Sequence, residues 1–226
     1  MHGILVVKKG NKMKPIINEI TLKPLIFASS NTHKLEEVRR IFKLYTVLGL
    51  KDIGFTKEIV EDGFDLEDNA FIKARAVAEY VKEKNLDCAV LSDDSGLFVK
   101  ALNYEPGMYS SRYSGLGDEG NRQKLLNNLI NIQDRSAYFQ CYAVLIMPDG
   151  TEMVEQGKTY GDITKTKIGD ESFGYDCIFW SNPLKKTFGQ ATTAEKDSVS
   201  HRAIAMKPIK EYLDSINYRG VDTREY

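Results

Sequence analysis

The apolar run Cys88-Ala89-Val90-Leu91 leads almost directly into Asp93-Asp94-Ser95-Gly96, so a segment suited to a buried strand meets two adjacent carboxylates. At an effective dielectric near 20, unit charges roughly 4 Å apart repel by about 4 kcal/mol, so a partly buried pair needs a cation, a proton or separation. A bound Mg2+ meets that need. Were the strand to continue through both aspartates, they would face opposite sides of the sheet. Ser95-Gly96 instead favours a turn that brings both toward one crevice. The plainer alternative is a solvated, turn-initiating Asp pair.

The flanking pattern is that of an α/β chain. The short run at 25–28 shows no alternation, as expected of a strand covered on both faces. Ser29-Ser30-Asn31 supplies N-cap residues, and Leu35, Val38, Ile41 and Phe42 then recur at helical spacing. A second helix is predicted over 66–84, with Asp65 and Asp68 spaced as a capping box and Ala70, Ala74, Val77, Ala78 and Val81 as its apolar stripe. The stretch 105–120 reads as a long loop, followed by a helix carrying Leu125, Leu126, Leu129 and Ile130. Strands over 137–147 and 151–160 pair as an antiparallel hairpin through Pro148-Asp149-Gly150, which makes the sheet mixed. A last helix begins near Ser200, with Pro208 expected to end or kink it.

With 226 residues, of which 42% are hydrophobic, the chain is long enough to bury a full core. The reading divides it into an N-terminal extension or edge strand (1–24), one domain (25–216) and a C-terminal tail (217–226). Lys and Arg total 31 against 32 Asp and Glu, so there is no overall basic field of the kind that attracts nucleic acid. No run is long enough to span a bilayer, and Ile4 to Val7 is too short for a signal-peptide core. Cys88, Cys141 and Cys177 are widely spaced within or beside apolar runs and read as reduced, buried thiols of a cytoplasmic protein.

Three further segments carry chemistry. Ser29-Ser30-Asn31-Thr32-His33-Lys34 sits where a strand hands over to a helix, and free backbone N–H groups there favour an anion. Lys34 in the first turn opposes the helix dipole unless a phosphate binds. The glycines of a Walker loop are missing. Phe173-Gly174-Tyr175-Asp176 combines two aromatics with a carboxylate, able to stack a flat ring and accept hydrogen bonds from its edge. Lys196, His201 and Arg202 add donors near the last helix. Glu61, Asp62, Asp65, Glu67 and Asp68 precede the second helix, and one of them can complete an oxygen-ligand set with Asp94, since Mg2+ takes only one or two carboxylates.

Taken in order, Ser29 to Lys34, Asp93-Asp94-Ser95-Gly96-Leu97, Phe173 to Asp176 and Ser200-His201-Arg202 resemble the signature of the inosine triphosphate pyrophosphatase, or Ham1, family. The likeness runs over 25–213 and includes the loop 106–115. It implies a long central mixed sheet flanked by helices, in two lobes with the active-site cleft between them, and a homodimer. It further implies Mg2+-dependent hydrolysis of ITP, dITP and XTP to the monophosphate and pyrophosphate. By the family pattern Asp94 is the proton acceptor and, with Glu61, a metal ligand. Ser29 to Lys34 and Ser95 hold phosphates and sugar, Lys73 lies near the phosphates, and Phe173 to Asp176, Lys196, His201 and Arg202 form the base side, with Arg202 or His201 donating to position 6 of the purine. Cys177 stands where the family has proline, a departure expected to loosen that turn. The competing readings are a Maf-like pyrophosphatase for other modified nucleotides and a nucleotide-binding sensor without turnover.

Overall fold

The computed structural model describes residues 23–170 and 173–218; the expected N-terminal extension therefore falls almost wholly outside the described residues. Eight strands form one mixed sheet in the order β2-β1-β3-β5-β6-β7-β8, with β4 paired to β3. The strands are β1 (Leu25–Phe27), β2 (Val47–Gly49), β3 (Ala89–Val99), β4 (Pro106–Gly107), β5 (Ser136–Ile146), β6 (Glu152–Ile163), β7 (Phe179–Ser181) and β8 (Lys186–Thr187). The helices are α1 (Thr32–Ile41), α2 (Leu66–Glu83), α3 (Gly117–Asn128), α4 (Thr193–Val199) and α5 (His201–Ser215). β2, β1 and β3 run parallel, and from β3 onward every pairing is antiparallel. β5 and β6 form the expected antiparallel hairpin, in a register that sets Ala143 opposite Glu155.

Alternation along the strands builds three layers. Leu25, Phe27, Ala89 and Leu91 pack against Val38 of α1, its C-cap Phe42, and Met206, Ile209 and Leu213 of α5. Ile26, Val90 and Val144 turn the other way, onto Ala70, Ala74, Val77 and Val81 of α2. Full burial of each Leu, Ile or Phe contributes about 1.5 to 3 kcal/mol. The far end of the sheet has its own apolar mass, where Leu97, Ile163 and Phe179 meet Leu125 of α3.

β3 organises the molecule. Its residues Ala89 to Leu91 pair with β1, and Leu97 and Phe98 pair with β4. The five residues between have β5 on one side and no strand among the described residues on the other. That interruption opens a cleft at Asp93, Asp94 and Ser95.

Here the structure corrects the sequence reading. β3 does not end at the aspartates but continues to Val99, so no Ser-Gly turn forms and Asp93 and Asp94 face opposite layers. Ten consecutive pairings with β5 outweigh the local turn preference. Gly96 is a glycine of close approach, since a Cβ there would lie 2.2 Å from Gly107 O of β4. The expected long loop is shorter, because β4 and a 3-10 turn (Ser110–Arg112) occupy it and α3 begins at Gly117. α5 continues through Pro208, and Lys196 lies on the separate helix α4. Asp65 caps α2, accepting from the Asp68 N–H at 2.9 Å, but Asp68 accepts from Phe64 N–H and closes no reciprocal box. Tyr218, counted with the tail, is a core residue whose hydroxyl donates to Pro24 O and accepts from Ala89 N–H.

Candidate active site

A cavity of about 590 Å3 occupies the cleft. On its phosphate-like side, β1 ends and the chain turns into α1. Asn31 caps the helix by accepting from Lys34 N–H at 3.1 Å, and Ser29 Oγ accepts from Asn31 N–H at 3.2 Å. The N–H groups of Thr32 and His33 keep no acceptor among the described residues. The first turn carries no acid, and its cation Lys34 reaches down to Asp93, with Nζ 3.3 Å from Oδ1 and 3.1 Å from Oδ2.

The two aspartates hold separate ionic systems. On the α2 side, Asp94 Oδ1 and Glu61 Oε2 each accept from Lys73 Nζ at 2.8 Å. Burial raises the Asp94 carboxyl above its ordinary range, partly offset by Lys73 and Lys34. Burial works against the Lys73 charge, but Asp94, Asp93 and Glu61 outweigh it and raise the amine. Glu61 Oε1 and Asp94 Oδ2 make no hydrogen bond to another described residue. Two carboxylates that already converge on one cation suit a hard divalent ion such as Mg2+. Among the described residues no group of three or more His, Cys, Asp or Glu is placed to hold a metal ion.

On the α1/α5 side, charges alternate along a buried ladder. Asp176 accepts from Lys196, which pairs also with Glu37 Oε1 at 3.0 Å. Glu37 Oε2 accepts from Arg202 Nη1, and Arg202 donates to Asp93 Oδ2 through Nε at 3.1 Å and Nη2 at 2.9 Å. Asp93 then meets Lys34. Asp93 is 0% exposed and Arg202 1%. Burial alone pushes the Asp93 carboxyl up, yet Lys34, Arg202 and Lys73 together hold it well below the usual carboxylate range. Glu37 likewise falls to about 2, because Arg202 and Lys196 overcome its burial.

On the base-like side, the Phe173 ring lies 5.0 Å from the His33 ring and carries Lys196 Nζ at 5.2 Å from its centroid. His201, first residue of α5, stacks on Phe139 at 4.8 Å and 13°. Burial, then Arg202, pulls its pKa well below the ordinary value, so the ring is neutral; its Nδ1 is buried without a partner. Burial raises the Asp176 carboxyl, offset in part by Lys196.

The cavity thus brings together Ser29, Ser30, Asn31, His33, Lys34, Glu61, Lys73, Asp94, Ser95, Phe173, Gly174, Tyr175, Asp176, Lys196, His201 and Arg202. Thr32, the exposed first residue of α1, is not among the residues that line it. Arg202 lines the cavity and is anchored by Asp93 through Nε and Nη2, by Glu37 through Nη1 and by Ser95 through Nη2, bonds that use four of its five N–H groups. Cys177 does not open the turn. It is a buried, free thiol inside the 3-10 turn Asp176–Ile178, and Asp176 keeps its lysine.

Glu37 and Asp118, the latter lining the cavity, escaped the sequence reading, which singled out Asp93 but gave it no separate role. Glu37 lies one turn after Lys34 on the same helix, a spacing that places both on one face. That was the available signal.

The Ham1 family model matches residues 25–212. A dITP/XTP pyrophosphatase of Clostridium perfringens is 40% identical over 202 residues, covering 86% of this chain and 99% of that protein. One of Staphylococcus epidermidis is 39% identical over 195 residues, covering 85% and 97%. The solved Ham1 protein of Staphylococcus aureus superposes with a TM-score of 0.74 at 38% identity, over 86% of this chain and 100% of that one. A HAM1 protein of Coxiella burnetii gives 0.75 at 31% identity, with the same coverage. By sequence, topology and the composition of its cleft, the chain belongs to the Ham1 family.

Proposed function

We propose that the chain is a nucleoside-triphosphate pyrophosphatase that hydrolyses ITP, dITP and XTP to the monophosphate and pyrophosphate with Mg2+. The observation that carries this reading is the polarity of one cleft. A helix N-terminus with Lys34 and a carboxylate pair around Lys73 lie at one end, and an aromatic ring beside a cation lies at the other. The dITP/XTP pyrophosphatases similar to this chain support it.

In this reading the Thr32 and His33 N–H groups and Lys34 receive phosphate oxygens. Asp94 orients a water and accepts its proton. The water oxygen bonds to phosphorus as the anhydride bond breaks, and pyrophosphate leaves with the bonding pair. Burial suits the Asp94 carboxylate to the role of base, because it raises its proton affinity. No covalent nucleophile is required. Glu61 and Asp94 would hold Mg2+, which neutralises charge on the phosphate oxygens when bound.

Phe173 stacks the purine, and His201 and Arg202, which both line the cavity, supply the polar edge beside it. A site whose polar groups pair with the 6-carbonyl of hypoxanthine or xanthine leaves them unpaired against adenine, at about 1 to 3 kcal/mol each. The buried, reduced thiols support a cytoplasmic setting, and we carry over the family's homodimer to this chain.

The test incubates the protein with ITP and Mg2+ and identifies products by phosphorus NMR. IMP and pyrophosphate are expected; orthophosphate as the first product, or tight binding without product, contradicts the proposal.

A further inference from the structure

Gly174 is gripped on both of its backbone polar groups by one helix. Its N–H donates to Asp118 Oδ2 at 2.7 Å, and its carbonyl accepts from Arg122 Nη1 at 2.6 Å. Both side chains belong to α3, one turn apart. From this geometry we propose that Asp118 and Arg122 are positioning residues that set the Phe173 ring for the base. The inference rests on the reading of Phe173 as the stacking platform and adds the device that aims it.

Gly174 has φ +49°, in the left-handed region, with nothing within 4 Å of a Cβ built on it. Conformation rather than space is therefore what demands glycine there. A glycine peptide is also the easiest to rotate, and Phe173 is its immediate neighbour. Fixing both the N–H and the C=O removes that freedom. The ring is thereby held at its stations 5.0 Å from His33 and 5.2 Å from Lys196.

The clamp is itself braced. Arg122 is 4% exposed, and its Nε and Nη2 donate to Glu119 Oε2 at 3.2 and 3.0 Å. Lys167 donates to both oxygens of the same carboxylate. A planar guanidinium so fixed directs Nη1 at the Gly174 carbonyl with little rotational freedom. Asp118 is exposed at the second position of α3, where a carboxylate suits the helix dipole. Neither Asp118 nor Arg122 bonds to Lys34, Lys73, Glu61 or Asp94, so the clamp acts on the base end alone.

Steady-state hydrolysis of ITP, with tripolyphosphate as a competitive inhibitor lacking a base, separates this role from a general structural one. Asp118→Ala and Arg122→Gln are expected to raise KM for ITP about tenfold while kcat stays within about threefold. Inhibition by tripolyphosphate is expected to stay within about twofold of the unsubstituted protein. Asp118→Asn, which keeps an acceptor oxygen, recovers most of the KM. Asp118 is exposed, so its alanine variant carries the test even if Arg122→Gln fails to fold. An unchanged KM in Asp118→Ala, or a loss of tripolyphosphate inhibition in parallel with KM, overturns the proposal. Absence of pyrophosphate from the unsubstituted protein is a separate result that refutes the activity itself.

Discussion

Asp93 and Asp94 are neighbours on β3, yet they serve opposite faces of the sheet: Asp93 holds Lys34 and Arg202, and Asp94 holds Lys73. Backbone alternation separates two carboxylates that would otherwise repel, and each receives its own cations. Adjacent positions therefore acquire different tasks, one in the ladder beneath the site and one at its surface.

That division predicts different outcomes for the same chemical change. Asp94→Asn is expected to abolish turnover with little change in melting temperature. Asp93→Asn removes a 0%-exposed charge and leaves Arg202 undercompensated, at a cost of about 3 to 5 kcal/mol in stability. Pyrophosphate release and urea denaturation on both variants check this; equal effects on both quantities contradict it.

Lys73 stands between Glu61 and Asp94. Lys73→Ala leaves the two carboxylates facing each other and removes a cation from the phosphate end. A fall in kcat of about a hundredfold is expected, with the fold retained, measured by initial rates and circular dichroism.

Chelation supplies a third check. EDTA is expected to remove activity and excess Mg2+ to restore it, whereas full activity in EDTA contradicts the assignment of Glu61 and Asp94 to a divalent ion.

Glu37 gives a pH dependence of stability. Its carboxyl is lowered to about 2 in the folded protein against 4.5 ordinarily, because Arg202 and Lys196 outweigh its burial. A depressed folded pKa means that Glu37's contribution to stability is present above its unfolded value of 4.5 and is lost as pH falls through about 2. The gap corresponds to about 3 kcal/mol. Denaturation of Glu37→Gln is expected to show a shallower loss across that window; a slope identical to that of the unsubstituted protein contradicts the ladder.

Much of this was legible in the residues. The Asn31 and Asp65 caps, the apolar stripe of α2 and the β5–β6 hairpin all follow from local chemistry. What stayed hidden was decided by tertiary pairing. Ser95-Gly96 has turn chemistry, but β5 on one side and the backbone of Gly107 on the other keep it extended. Glu37 sits in a stretch, Leu35-Glu36-Glu37-Val38-Arg39-Arg40, that reads as a charged surface helix. Only the arrival of α4 and α5 over it buries one of the two glutamates. The anchoring of Arg202 was hidden for the same reason, since its three carboxylate contacts come from positions more than a hundred residues away.

The stacking role proposed for Phe173 predicts a change confined to base binding. Phe173→Ala is expected to raise KM for ITP by about tenfold or more, in line with about 1 to 3 kcal/mol for a stacked base. A drop in kcat with KM unchanged contradicts it.

The most direct measurement is kcat/KM for pyrophosphate release from ITP, dITP, XTP, ATP and GTP under identical Mg2+. The account predicts ITP, dITP and XTP each exceeding ATP and GTP by at least about a hundredfold. Equal values across the five nucleotides, or turnover that prefers ATP, contradict it.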